Sequence, residues 1–170
     1  MNPITIYTAN CRENVKNTRY PQKHIITNLD EFREALKYDH VCALYKNFHR
    51  SIDNFVSTDC LMMDCDNTHS DIESDWVTPK QVSEALPELT FYVCYSRNNG
   101  KQKGERSPRP KFHVYFQIDT VSDAKEYSEF KNKIIEAFPQ LYFDTGAKDS
   151  ARFFFGVEKP EVFLMGGDGG

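Results

Sequence analysis

The chain predicts an α+β fold: an antiparallel sheet of the split βαβ, ferredoxin-like type with helices on one face, preceded by an N-terminal α/β extension. Three observations predict it. From residue 60 the elements run strand, helix, strand, strand, helix, strand. "KFHVYFQI" (111–118) alternates apolar and polar residues with the period of a strand. "TPKQVSEAL" (78–86) and residues 122–138 instead carry helical spacing and helix-start signals.

Each element follows from its residues. "ITIYTA" (4–9) alternates as a strand, and residues 10–27 are polar and without period. "NLDEFREALKYD" (28–39) is a helix that Asn28 can cap, with Asp30 and Glu31 in its first turn and Phe32, Ala35 and Leu36 on one face. "VCALYK" (41–46) and "CLMMDC" (60–65) are β-like runs. Thr78 caps the next helix and Pro79 opens it. "TFYVCYS" (90–96) is a strand, and "RNNGKQKGERSPRP" (97–110) is a loop rich in Gly, Pro and Asn. Pro139 ends the helix of 122–138. "QLYF" (140–143) reads as a short strand or turn entry, and "ARFFFG" (151–156) and "EVFLM" (161–165) as the last strands.

The 170 residues suit one domain, placed at 1–165, with an N-terminal subregion at 1–57 and a core at 58–165. Residues 166–170 read as a flexible linker, so an accessory or helicase domain is expected beyond it. The net charge of −4 means that any attraction for nucleic acid must come from a local patch. No apolar run reaches the length of a membrane span. The five cysteines, scattered and without zinc spacing, read as reduced residues of a cytoplasmic protein.

The chemistry starts at "CLMMDCDN" (60–67), where an apolar strand runs into Asp64 and Asp66. Residues i and i+2 of a strand share a face, about 7 Å apart. Adjacent carboxylates repel, and one takes up a proton unless a cation lies between them. A divalent, oxygen-preferring cation resolves the conflict. Lys111 and His113 repeat the spacing on the predicted third strand, which this topology pairs with the strand of Asp64 and Asp66. Asp144, after Tyr142-Phe143 and before the Thr145-Gly146 turn, brings a third carboxylate within reach. Arg152 can grip a phosphate bidentately. Three acids beside a His, a Lys and an Arg are equipment for phosphoryl transfer.

These residues resemble the catalytic core of archaeo-eukaryotic-type primases, the AEP superfamily, in particular the primase–polymerases of phages, plasmids and mobile elements. An apolar run into D-x-D matches Leu61-Met62-Met63-Asp64-Cys65-Asp66. A small-x-His strand motif is met by Lys111-Phe112-His113, with Lys111 where many relatives carry Ser. An apolar residue followed by Asp matches Phe143-Asp144. The resemblance spans most of residues 40–156 and implies an RRM-like palm. It further implies that Asp64, Asp66 and Asp144 are catalytic and hold two Mg2+ or Mn2+ ions. His113 would contact the triphosphate of an incoming nucleotide, with Arg152, Lys111, Ser96 and Arg97 in the same nucleotide-binding set. The activity implied is DNA primase or polymerase chemistry in replication, on a single-stranded DNA template and its primer.

The loop at 97–111 sets Arg97, Lys101, Lys103, Arg106, Arg109 and Lys111 against one acid, Glu105. As a group, with Arg50 before the first motif, they are expected to clamp template or nucleotide phosphates. Two alternatives compete. A metal-dependent replication-initiation nuclease would want a tyrosine nucleophile near paired histidines, and the sequence has no H-x-H. A non-catalytic RRM-like binding module would need stacking aromatics where Asp64, Asp66, Lys111 and His113 are expected.

Overall fold

The computed structural model describes residues 1–102, 106–147 and 149–166. The N-terminal region forms a three-stranded antiparallel sheet from β1 (Ile4–Thr8), β2 (Gln22–Ile26) and β3 (His40–Val41), in the order β2-β1-β3. A five-stranded antiparallel sheet follows, from β4 (Ala43–Tyr45), β5 (Phe55–Cys65), β6 (Thr90–Tyr95), β7 (Phe112–Val121) and β8 (Val162–Gly166). Its order is β4-β5-β7-β6-β8. The helices are α1 (Leu29–Ala35), α2 (Pro79–Ala85) and α3 (Ala124–Ala137).

The predicted core pairing holds: the first and third strands of the palm, β5 and β7, are central neighbours, with Asp64 opposite His113. The caps hold as well. The Asn28 side chain accepts from the Glu31 N–H. Pro79 opens α2, and α3 stops before Pro139.

Of the two readings of "QLYF" the turn holds, as a 3-10 helix over Pro139–Leu141 that leaves through a left-handed Tyr142. Three details differ from the expectation. Residues 22–26, read as irregular, pair with β1 although their own pattern is mostly exposed. "ARFFFG" is no strand: Phe154 makes one bridge to His40. Its three consecutive rings scatter. Phe153 meets Tyr20 and the Arg50 guanidinium, Phe154 lies on His113, and Phe155 sits under Arg97. The place beside β5 belongs to β4, which pairs only with Phe55–Thr58 and leaves the Asp64 end of that edge open to another segment.

The third difference concerns the face expected to be free. Asp64, His113, Tyr115 and Tyr92 share one face by register. Phe32 of α1 stacks on Tyr92 at 4.7 Å and meets Tyr115 edge-on at 4.9 Å, and the Tyr115 hydroxyl bonds His40 at 2.7 Å. The N-terminal region therefore covers that face at Tyr92 and Tyr115, and its Asp64–His113 end opens into a cleft. Burying three aromatic rings there stabilises the fold far more than an exposed face would.

Asp39 ties the cover together. Fully buried, its carboxylate accepts from the backbone N–H groups of Glu13, Asn14 and Gly156. Those bonds join the loop after β1 to the segment that carries Phe154.

Candidate active site

β5 delivers Asp64, buried, and Asp66 just past its end, half-buried. Asp144 reaches them because its backbone N–H donates to the Asp64 carbonyl at 2.8 Å. Its own Oδ1 accepts from the Gly146 N–H at 2.8 Å, which closes the Thr145-Gly146 turn. Carboxylate oxygens of Asp64, Asp66 and Asp144 lie within 4.8 Å of one another. His113 Nε2 stands 3.3 Å from Asp64 Oδ1, and its ring lies flat on Phe154 with centroids 3.7 Å apart.

The electrostatics are those of an acid cluster short of positive charge. Burial pushes Asp64 up, but the His113 ring and the Arg152 guanidinium outweigh it and hold the carboxyl below its ordinary value. Burial and the Asp64 charge push Asp66 up to about 6. A proton shared by the pair therefore rests on Asp66.

Among the described residues, three buried side-chain atoms lack a hydrogen-bond partner: Asp64 Oδ1, Arg152 Nε and Arg50 Nε. Two of them, an acceptor and a donor, belong to residues lining one cleft of about 350 Å3. Leaving such atoms unpaired is costly unless a ligand completes them. An all-oxygen donor set with an orphaned carboxylate oxygen fits a hard divalent cation such as Mg2+ or Mn2+, and Asp64, Asp66 and Asp144 are the residues that would hold it.

The cleft also gathers Ser96, Arg97, Asn98, His113, Arg152 and Phe154. Lys111 lies just before β7 and is buried. Its carbonyl accepts from the Ser96 N–H, and its charge helps to lower Asp66 against the two larger effects. Arg97 reaches 3.5 Å from Glu13 and sits over Phe155, between this cleft and a second one shared with Arg12, Lys101 and Lys159.

The remaining basic residues are placed differently. Arg109, only 2% exposed, is held by the carbonyls of Asn67 and Ser70 and by Asp71, and lies over Trp76. It pins the loop after the first motif. Arg106 bonds the Thr68 carbonyl and stays half-exposed. Arg50 donates to the Ala151 carbonyl and covers Phe153. Lys103 lies outside the described residues.

Asn67 turns the chain after the strand in a left-handed conformation, and its burial is what sequence reasoning missed. Its side chain bonds Val77 and the Pro110 carbonyl, fixing the end of β5 against the entry to β7. An Asn directly after D-x-D, where left-handed backbone is tolerated, was the available signal. Phe154 was missed as the floor of His113, since a three-ring run does not say which ring turns inward.

Among solved structures the chain is similar to the AEP domain of the primase-polymerase (PrimPol) of cyanophage S-2L, with 15% identity, coverage of 94% of this chain and 80% of that one, and a TM-score of 0.48. No protein-family model and no curated protein matches the sequence. The architecture is α+β, with antiparallel sheets and three helices among the described residues. No described helix is long and apolar enough to cross a membrane.

Proposed function

We propose that this chain carries out template-directed nucleotidyl transfer, making or extending DNA primers as a primase–polymerase. One observation carries the reading: Asp64 and Arg152, which line one cleft with Asp66, each bury a side-chain atom without a hydrogen-bond partner, a carboxylate oxygen 3.3 Å from His113 Nε2 and a guanidinium nitrogen. The cleft thus sets an incompletely satisfied carboxylate and an incompletely satisfied guanidinium in one place. A nucleoside triphosphate with its divalent ions completes both.

In this reading Asp64, Asp66 and Asp144 hold two Mg2+ or Mn2+ ions. When bound, such ions activate the attacking hydroxyl and neutralise charge on the leaving pyrophosphate. His113, steadied by Phe154, and Arg152 bind the triphosphate, with Ser96, Arg97 and Lys111 completing that wall. Lys101 and Arg106, on the outer rims, take phosphates of the template or primer strand. The covered sheet face disfavours an RRM-like binding module, because Phe32 and His40 occupy the central aromatics that would stack on bases.

The test is incorporation of labelled nucleotide on a primed single-stranded template, with Mg2+, with Mn2+ and with chelator, alongside a cleavage assay on the same strand. Metal-dependent incorporation without cleavage is expected. Cleavage without incorporation would overturn the reading in favour of a nuclease.

A further inference from the structure

β7 occupies one edge of β5, so the Asp64 carbonyl that accepts the Asp144 N–H is met from the other edge. Across the site the order is therefore His113, Asp64, Asp144. Tyr142 stands two residues before Asp144, no more than about 7 Å away along the chain.

Tyr142 is 52% exposed and holds a left-handed backbone, with φ 50° and ψ 38°. Its ring lies flat on that of His69, with centroids 3.7 Å apart and planes 3° apart. His69 comes three residues after Asp66, and its Nε2 is fixed by the Asp75 carbonyl at 2.7 Å. The segment leaving one metal-binding motif and the segment entering the other thus each contribute a ring to one exposed platform. Neither ring lines the cleft of His113 and Arg152. A large aromatic held outward in a sparsely populated backbone region is not explained by core packing.

We propose that the Tyr142–His69 stack seats the 3′-terminal base of the strand being extended. The inference rests on the polymerase reading. In-line displacement sets the attacking oxygen opposite the leaving one. The leaving pyrophosphate belongs with His113 and Arg152, so the 3′ hydroxyl arrives from the Asp144 side, where the platform stands. Stacking on an aromatic ring accepts any base, which suits the grip on a primer end of arbitrary sequence. Arg106, bonded to the Thr68 carbonyl next to His69, brings a half-exposed guanidinium to the same rim for a phosphate of that strand.

The test uses a primer–template whose primer ends in 2-aminopurine, a base whose fluorescence falls when it stacks. Wild-type protein is expected to quench it. Tyr142→Asn keeps a residue tolerant of left-handed backbone but removes the ring. It should abolish the quenching and weaken primer–template affinity roughly fivefold or more, with the nucleotide KM unchanged. Tyr142→Phe should behave as wild type. His69→Ala, which leaves the backbone at 142 untouched, should reduce the quenching if Tyr142→Asn fails to fold. Quenching that survives both ring removals, or that appears only when the probe base is in the template, overturns the proposal. Tyr142-dependent quenching by a protein that incorporates no nucleotide would sustain the platform and refute the polymerase reading.

Discussion

The backbone N–H of Asp144 donates to the backbone carbonyl of Asp64 at 2.8 Å. Two acids 80 positions apart are thus held together by main chain, and a side-chain change at either leaves that bond in place. The Asp144 carboxylate has a separate structural task, closing the turn through Gly146. The two tasks separate in mutants. Asp144→Asn keeps an oxygen for the Gly146 N–H, so it should lose incorporation with little change in stability. Asp144→Ala should lose incorporation and also about 1 kcal/mol of stability. Urea unfolding of the two variants checks this, and equal stability would show that the turn does not depend on the carboxylate.

Asp64 and Asp66 should respond in opposite directions without metal. Asp66 is the strained partner, pushed up to about 6 by burial and by Asp64. Asp66→Asn removes that repulsion and should raise the melting temperature of the metal-free protein. Asp64 balances His113 and Arg152, so Asp64→Asn leaves those groups uncompensated and should lower it. Both variants should abolish incorporation and the stabilisation by added Mn2+. Thermal melts with and without Mn2+ measure the stabilities, and labelled-nucleotide incorporation measures the activity. Wild-type-like Mn2+ stabilisation of either variant would remove that aspartate from the ligand set.

His113→Ala should raise the nucleotide KM more than it lowers kcat, because a triphosphate contact is made in both ground and transition states. Phe154, stacked on the ring at 3.7 Å, positions it. Phe154→Leu should therefore shift KM in the same direction by a smaller factor, with His113 still present. Calorimetric nucleotide affinity unaltered in His113→Ala would make the histidine a structural strand residue.

What the sequence reveals depends on how local the cause is. Asp64 and Asp66 are legible because strand periodicity alone puts i and i+2 on one face, and the alternation of β7 then sets His113 opposite Asp64. Asp144 is legible through its apolar-acid-turn context. Phe154 is not, because its single bridge is to His40, 114 positions earlier, and neighbouring rings turn elsewhere. Arg109 reads as one more loop cation; its burial is set by the carbonyls of Asn67 and Ser70, in a loop about 40 residues away in sequence. The N-terminal cover over Tyr92 and Tyr115 is equally non-local. It depends on Phe32 and His40, whose own segments say nothing about the sheet they cover.

His40 should make the protein acid-sensitive above the range in which carboxylates usually titrate. Its Nδ1 meets the Tyr38 carbonyl, which can only accept, so Nδ1 carries the hydrogen and Nε2 accepts from the Tyr115 hydroxyl. Burial lowers its pKa to about 4 from an ordinary 6.5. Between those values the unfolded chain binds a proton that the folded chain refuses. The stability that neutral His40 contributes is therefore complete above about pH 6.5 and is lost with acid, by roughly 3 kcal/mol in all by pH 4, while Asp66, raised to about 6, contributes in the opposite sense over much of that range. Urea unfolding from pH 7.5 to 4.5 should show wild type losing more stability with acid than His40→Gln, the difference isolating His40 from the opposing Asp66, and His40→Gln should cost stability at neutral pH. Equal slopes in the two proteins would place the acid sensitivity elsewhere.

Gly156 links the fold to the site most directly. Its N–H donates to Asp39 Oδ1 at 2.8 Å, and a Cβ there would stand 2.5 Å from the Tyr38 carbonyl carbon and 2.6 Å from the Lys37 oxygen. Both obstacles are backbone, so neither can swing aside. Gly156→Ala should cost roughly 1–3 kcal/mol through overpacking. It should also push the 151–157 segment outward, drawing Phe154 from the His113 ring and Arg152 from the cleft. The nucleotide KM is then expected to rise although no ligand-facing side chain has changed. Gly146→Ala is the comparison. There a Cβ would meet the Asp144 carboxylate at 3.3 Å, the end of a side chain that can adjust, so the stability loss should be smaller and the effect should fall on metal binding. Unfolding curves and nucleotide KM for both variants decide the matter. A Gly156→Ala protein with wild-type stability and KM would mean that the close approach to Tyr38 does not hold the segment in place.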